Sequence, residues 1–135
     1  MVKEIRKEEA DSYLKKAEEF LEEAKESFLK NRFNVAGFNA IQTVINANDA
    51  LTITILGKRA SMDHREALRI HTDAVRVIND SSCRRILKDS LDSRTEVGYS
   101  GRMISKASAE SLLRDAVRFL GWVKRYTKEK VFHSS

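Results

Sequence analysis

Proline is absent from the 135 residues of this chain, and glycine occurs only five times. These two residues set most tight turns, so a chain poor in both cannot supply the frequent reversals of a sandwich, barrel or propeller. It must run in long helices with few connections. The length suits one domain, residues 1–135, and is too short for two ordinary ones. Hydrophobic residues make up 41% and charged residues 33%, a balance that supports a packed core and not a disordered chain. The expected fold is all-α: a single-domain up-and-down bundle of about five helices. A bundle this small is expected to form a twofold homodimer.

Several function classes are excluded early. The single cysteine, Cys83, rules out an internal disulfide and a cysteine-cluster metal site, and it reads as packing. No run approaches the ~18 apolar residues of a membrane span. The opening MVKEIRKEEADSYL has no apolar signal-peptide core. A cytoplasmic protein without membrane contact is expected. There is no Walker loop, GxGxxG, HExxH or GxSxG, and no ExxH pair of the kind a ferritin-like bundle needs. No metal site and no cofactor are therefore expected. The net charge of +5 is uneven, −2 over residues 1–30 and +7 over the remainder. That bias permits contact with nucleic acid or a nucleotide phosphate without requiring it.

Periodicity places the helices. Tyr13, Ala17, Phe20, Leu21, Ala24 and Phe28 form one stripe of a helix from about Glu9 to Lys30. Asn31-Arg32 reads as a helix–helix turn. A second helix, from about Phe33 to Leu56, is apolar on more than one side and should be central. Its run Thr52-Ile53-Thr54-Ile55 is strand-like, yet a lone short strand would have no partner, so helix is expected through to a cap at Gly57. GKRASMDH reads as a loop, with Asp63 or Ser61 capping a third helix from about His64 to Ile78. A fourth should span about Cys83 to Val97 and end at Gly98. A fifth should start from Ser105 or Ser108 and reach about Lys128, with residues 129–135 frayed.

Candidate site residues are those that break these patterns. On the fourth helix Leu87, Leu91, Arg94 and Gly98 share one face. Arg94 stands where an apolar residue belongs, so it should pair with an acid, line a crevice or extend its head past a packed stem. If the helix stops at Gly98, Tyr99 can fold back towards Arg94. Arg102 then adds charge in the loop YSGR, in a setting suited to phosphate, ribose or base. Asn48 lies on the apolar seam between Ile45 and Leu51 and needs a partner: another helix, a second subunit or Arg94. His71 lies on an apolar face and reads as a core histidine. His64 reads as a solvated or capping residue.

The segment LDSRTEVGYSGRMISKASAESLLRDAVRFLGWV, preceded by NVAGFNAIQTVINANDALTITILGKR, resembles the HEPN superfamily of small prokaryotic helical proteins. The likeness runs from about Ala10 to Val123 in the order and spacing of its elements. It implies a homodimeric helical bundle. It also implies either ribonuclease activity, with arginine and histidine meeting in a cleft between subunits, or partnership with a minimal nucleotidyltransferase in toxin–antitoxin-like pairs. Arg94 matches the family arginine. Tyr99 stands where the nucleases carry histidine, and tyrosine, with an ordinary pKa near ~10, is a poor general base. Arg65 to His71 also fits an Arg-x5-His spacing, but one helix too early. The leading expectation is a nucleotide- or RNA-binding regulatory protein using Arg94, Tyr99, Arg102 and Asn48, with Arg94 and Tyr99 as the catalytic pair if any chemistry remains. The alternatives are a metal-independent endoribonuclease of the same fold and a ligand-free helical interaction module.

Overall fold

The structure is a computed structural model. It describes the backbone of residues 2–4, 6–60 and 63–133, and side-chain surroundings for residues 6–60 and 63–127. Five α-helices are present among the described residues: α1 (Ala10–Leu29), α2 (Phe33–Leu56), α3 (His64–Ile78), α4 (Arg84–Tyr99) and α5 (Lys106–His133). A 3-10 turn over Lys7–Glu9 leads into α1. The fold is the all-α bundle expected, with one addition. The segment read as a loop after α2 contains a short strand, β2 (Lys58–Ala60), which pairs antiparallel with β1 (Val2–Glu4), Val2 opposite Ala60. Three residues are too few to show a period of two, and the partner lies at the far end of the sequence.

The centre is α2. It packs against all four other helices and against β2, and no ionisable residue but Asp49 occurs in it. Ala36, Ala40, Ala47 and Ala50 are fully buried along it, and such small side chains let the neighbouring helices come close. Ile41, Val44, Leu51 and Ile53 fill the space between, each adding about 1.5–3 kcal/mol by leaving water. The β-branched run at 52–55 remains helical because these packing contacts outweigh its weak preference for extended backbone. On α1 the buried line is Leu14, Ala17, Leu21 and Ala24. Tyr13, Phe20 and Phe28 are half-buried at its edges, so the stripe is turned slightly from the one its aromatics suggested.

The helix ends follow the chemistry of their residues. Asn31 and Asn79 adopt left-handed backbone with φ of 61° and 56°, and Gly57 closes α2 at φ 69°. Asp63 caps α3, its Oδ1 accepting from the Arg65 and Glu66 amides at 2.8 and 3.4 Å. The other cap considered, Ser61, lies outside the described residues. Ser105 caps α5 by accepting from the Ser108 amide at 3.1 Å.

One boundary differs in a way that matters for the site. Gly98 does not end α4; the helix continues through Tyr99. A Cβ on Gly98 would lie 2.9 Å from two ring carbons of Phe38. The glycine is accounted for by the close approach of α4 to α2, not by a turn.

Candidate functional site: a crevice beside α2

The crevice forms where the C-terminal half of α2 meets β2, the start of α3 and the middle of α4. From α2 come Ile45, Asn48 and Asp49; from β2 and the start of α3, Ala60, Asp63 and Ala67; from α4, Leu87, Leu91 and Arg94. It leaves about 40 Å³ for the centres of water-sized molecules. The four-three spacing of Leu87, Leu91 and Arg94 brings all three to the crevice from one face of α4. A contact of 3.1 Å between His64 Nε2 and Asp92 Oδ1 ties the start of α3 to α4. Lys88 supports the same carboxylate at 2.8 Å.

Arg94 is half-buried, and among the described residues its side chain makes no ion pair or hydrogen bond. Of the three placements open to it, the structure selects the crevice wall. Asn48 is 3% exposed. Its side-chain oxygen lies 2.8 Å from His71 Nδ1, so the partner it needed is another helix. With Nδ1–H donating, His71 is the neutral tautomer, and its Nε2 is buried without a partner. Burial holds the imidazole pKa down to about 4. The ring packs against Phe119 and Trp122 of α5, with centroids 6.1 and 5.7 Å away. His71 is thus a core residue that fixes Asn48. Arg65, which shares the accidental Arg-x5-His spacing, is exposed.

Tyr99 and Arg102 stand elsewhere. Tyr99 is the last residue of α4 and is 72% exposed. Arg102 is exposed in the connection to α5. That connection is held against the start of α2, where Asn34 Oδ1 accepts from the Ile104 amide at 2.7 Å. Neither residue lines the crevice. The structure therefore brings Arg94 and Asn48 together and leaves Tyr99 and Arg102 outside, because α4 does not break at Gly98.

Two residues that the sequence reading did not place in the site also face the crevice. Asp63 is occupied as the α3 cap, and its hydrogen bonds from the Arg65 and Glu66 amides hold its carboxyl below the ordinary range. Asp49 is different. Burial pushes its pKa up to about 7 against the opposing charge of Arg59. Arg59 itself lies over the Tyr13 ring, 5.2 Å from its centroid, and donates to the Ala60 carbonyl at 3.0 Å. The available signal for Asp49 was its isolation as the lone ionisable residue in the 24 residues of α2.

Among the described residues no group of three or more His, Cys, Asp or Glu side chains is arranged to hold a metal ion. No helix there is long and apolar enough to cross a membrane. In the comparison with known proteins, no curated protein matches the chain. The family model for the HEPN domain matches residues 10–126. That span takes in all of α1 through α4 and most of α5, including both walls of the crevice, and the chain belongs to the HEPN domain family.

Proposed function

We propose that this HEPN protein is a nucleotide- or RNA-binding regulatory protein, dimeric and acting with a minimal nucleotidyltransferase in a toxin–antitoxin-like pair. Family membership supports the coarser part, nucleotide- or RNA-related work. The observation that carries the reading is Arg94, a half-buried guanidinium that no described residue neutralises, opening onto a crevice. Its planar fork suits a phosphate. Asn48, held by His71, adds an oriented amide. Tyr99 lies five residues on, about 7.5 Å further along the α4 axis and roughly 140° around it, so it and Arg102 stand outside this crevice. Binding is favoured over cleavage because His71 is locked in the core at 0% exposure and Tyr99 is a poor base.

The test is titration of the purified protein with ribonucleotides and with single-stranded RNA. Arg94→Ala should weaken binding about tenfold or more, as expected for a lost charged hydrogen bond of about 1.5–3 kcal/mol. An Arg94→Ala protein that binds as tightly as the parent would overturn the reading. RNA cleavage abolished by the same change would replace it with the nuclease.

A further inference from the structure

Four helix termini meet at one end of the bundle. There α1 ends and α2 begins across residues 30–32, and α4 ends and α5 begins across residues 100–105. The two connections are held together. Asn34, in the first turn of α2, accepts from the Ile104 amide at 2.7 Å and donates to Met103 Sδ at 2.8 Å. Phe28 and Phe33 pack edge to face across the α1–α2 turn, with ring centroids 5.5 Å apart. The end is thus a formed surface built from two loops.

Its charge is of one sign. Residues 29–35 and 99–106 hold Lys30, Arg32, Arg102 and Lys106 and no acidic residue. Lys30 pairs with Glu26 at 3.0 Å. The other three are exposed and make no ion pair among the described residues. Two helix dipoles add to them. The N-termini of α2 and α5 lie at this end, and neither helix carries an acid in its first turn. By contrast, α1 and α3 carry Asp11 and Glu66 there. Beside this charge stand four of the six exposed large hydrophobic side chains among the described residues: Leu29 at 82%, Val35 at 48%, Tyr99 at 72% and Met103 at 81%. A single exposed apolar residue needs no explanation, but a group gathered within a basic end marks an interaction surface.

The occupant must be negative and apolar at once. A nucleic acid answers the cations and the Tyr99 ring, but it offers nothing to Leu29, Val35 and Met103, which have no flat face on which a base could stack. A folded protein would need a shaped pocket for each side chain that stands out this far. The interface of an anionic bilayer needs none. Apolar tips enter the acyl boundary, lysine and arginine meet the lipid phosphates, and a tyrosine ring sits at headgroup level.

We propose that this end of the bundle docks on an anionic lipid surface, with Leu29 and Met103 inserted and Arg32, Arg102 and Lys106 on the headgroups. The contact is peripheral, since no described helix can cross a bilayer. It departs from the sequence-based expectation of no membrane contact, which rested on spanning runs and a signal core. It is also independent of the crevice, whose lining includes none of these residues.

The experiment is flotation of the purified protein with vesicles of mixed phosphatidylcholine and phosphatidylglycerol and with vesicles of phosphatidylcholine alone. Single-stranded RNA serves as a soluble competitor. The protein should rise with the anionic vesicles and stay behind with the neutral ones. Arg102→Gln and Lys106→Gln should each weaken binding about fivefold, the effect of one cation near an anionic surface. Leu29→Gln and Met103→Gln leave the charge unchanged, and the second keeps an acceptor for Asn34. Each should weaken binding about tenfold through lost apolar insertion. Thermal melts by circular dichroism that match the parent show that the variants are folded. Binding that falls with Arg102→Gln but with neither Leu29→Gln nor Met103→Gln overturns the proposal. If RNA then strips the protein from the vesicles, the end serves nucleic acid; if it does not, the end is a non-specific basic patch. Failure to float with either kind of vesicle overturns the proposal as well.

Discussion

Asp49 and His71 titrate in opposite senses, and folding stability should record both. Asp49 keeps its proton in the fold up to about 7, whereas an unperturbed aspartate loses it near 3.8. Folding therefore takes up a proton between those values, and the contribution of Asp49 to stability falls as pH rises through them. His71 stays neutral in the fold down to about 4, against an ordinary 6.5. Folding releases its proton between those values, so its contribution rises with pH and is lost on acidification. Over the shared interval the two slopes cancel. Asp49→Asn should expose the His71 slope: its melting temperature should climb between about pH 4.5 and 6.5 and exceed that of the parent above pH 7. The shift of Asp49 from 3.8 to about 7 spans about three tenfold steps of about 1.4 kcal/mol each, so a difference on the order of 10 °C is expected. Melts followed by circular dichroism in steps of pH check this, and parallel profiles would show that Asp49 titrates normally. Asn48 was legible in the sequence because an amide on an apolar seam must be paired. Asp49 was not singled out, because its surroundings come from β2 and the start of α3, which helical register on α2 does not report.

At the scale of elements, the junction between α3 and α4 is fastened to α5 by one carboxylate. Asp80 accepts from Trp122 Nε1 at 2.9 Å, from the Tyr126 hydroxyl, and from Ser82 Oγ at 2.7 Å. These bonds, the one from Tyr126 first, hold its carboxyl well below the usual range. That contribution is present at neutral pH and is lost as acid protonates the group. Asp80→Ala should lower stability by about 2 kcal/mol, the loss of hydrogen bonds to a partly solvated charge. The urea midpoint should fall, and the emission of Trp122, which is 3% exposed in the parent, should shift to the red in the variant under native conditions. An unchanged midpoint would mean that the junction is held by packing alone. Helix count and caps were legible from residue chemistry, as at Asp63 and Gly57. The end of α4 was not, since Gly98 suits a helix terminus and a close helix crossing equally well, and only the position of Phe38 separates the two. The ribbon of β1 and β2 was hidden for a similar reason: its partners are more than fifty residues apart, and nothing local to either shows the other.

For the whole molecule, α2 sets both assembly and order. Its half-buried Phe38, Gln42, Ile45 and Asn46 form an uncharged strip, and light scattering should give a particle of about twice the 15.4 kDa chain mass, as a twofold pairing requires. A monomer at tens of micromolar would reject the dimer. The central place of α2, foreseen from its apolar character on more than one side, also has a consequence in time. Its most extensive packing is with α1, its immediate neighbour in the chain, and the next most extensive is with α5, which begins at Lys106. Closing the short loop at Asn31 loses little chain entropy, whereas closing the long one to α5 loses more. The α1–α2 hairpin is thus the natural nucleus, and α5 docks onto it late. Changes at Ala17 or Leu21 would then slow folding, while changes at Phe119 or Val123 would mainly hasten unfolding, so the lifetime of the folded chain lies in the grip of its last helix.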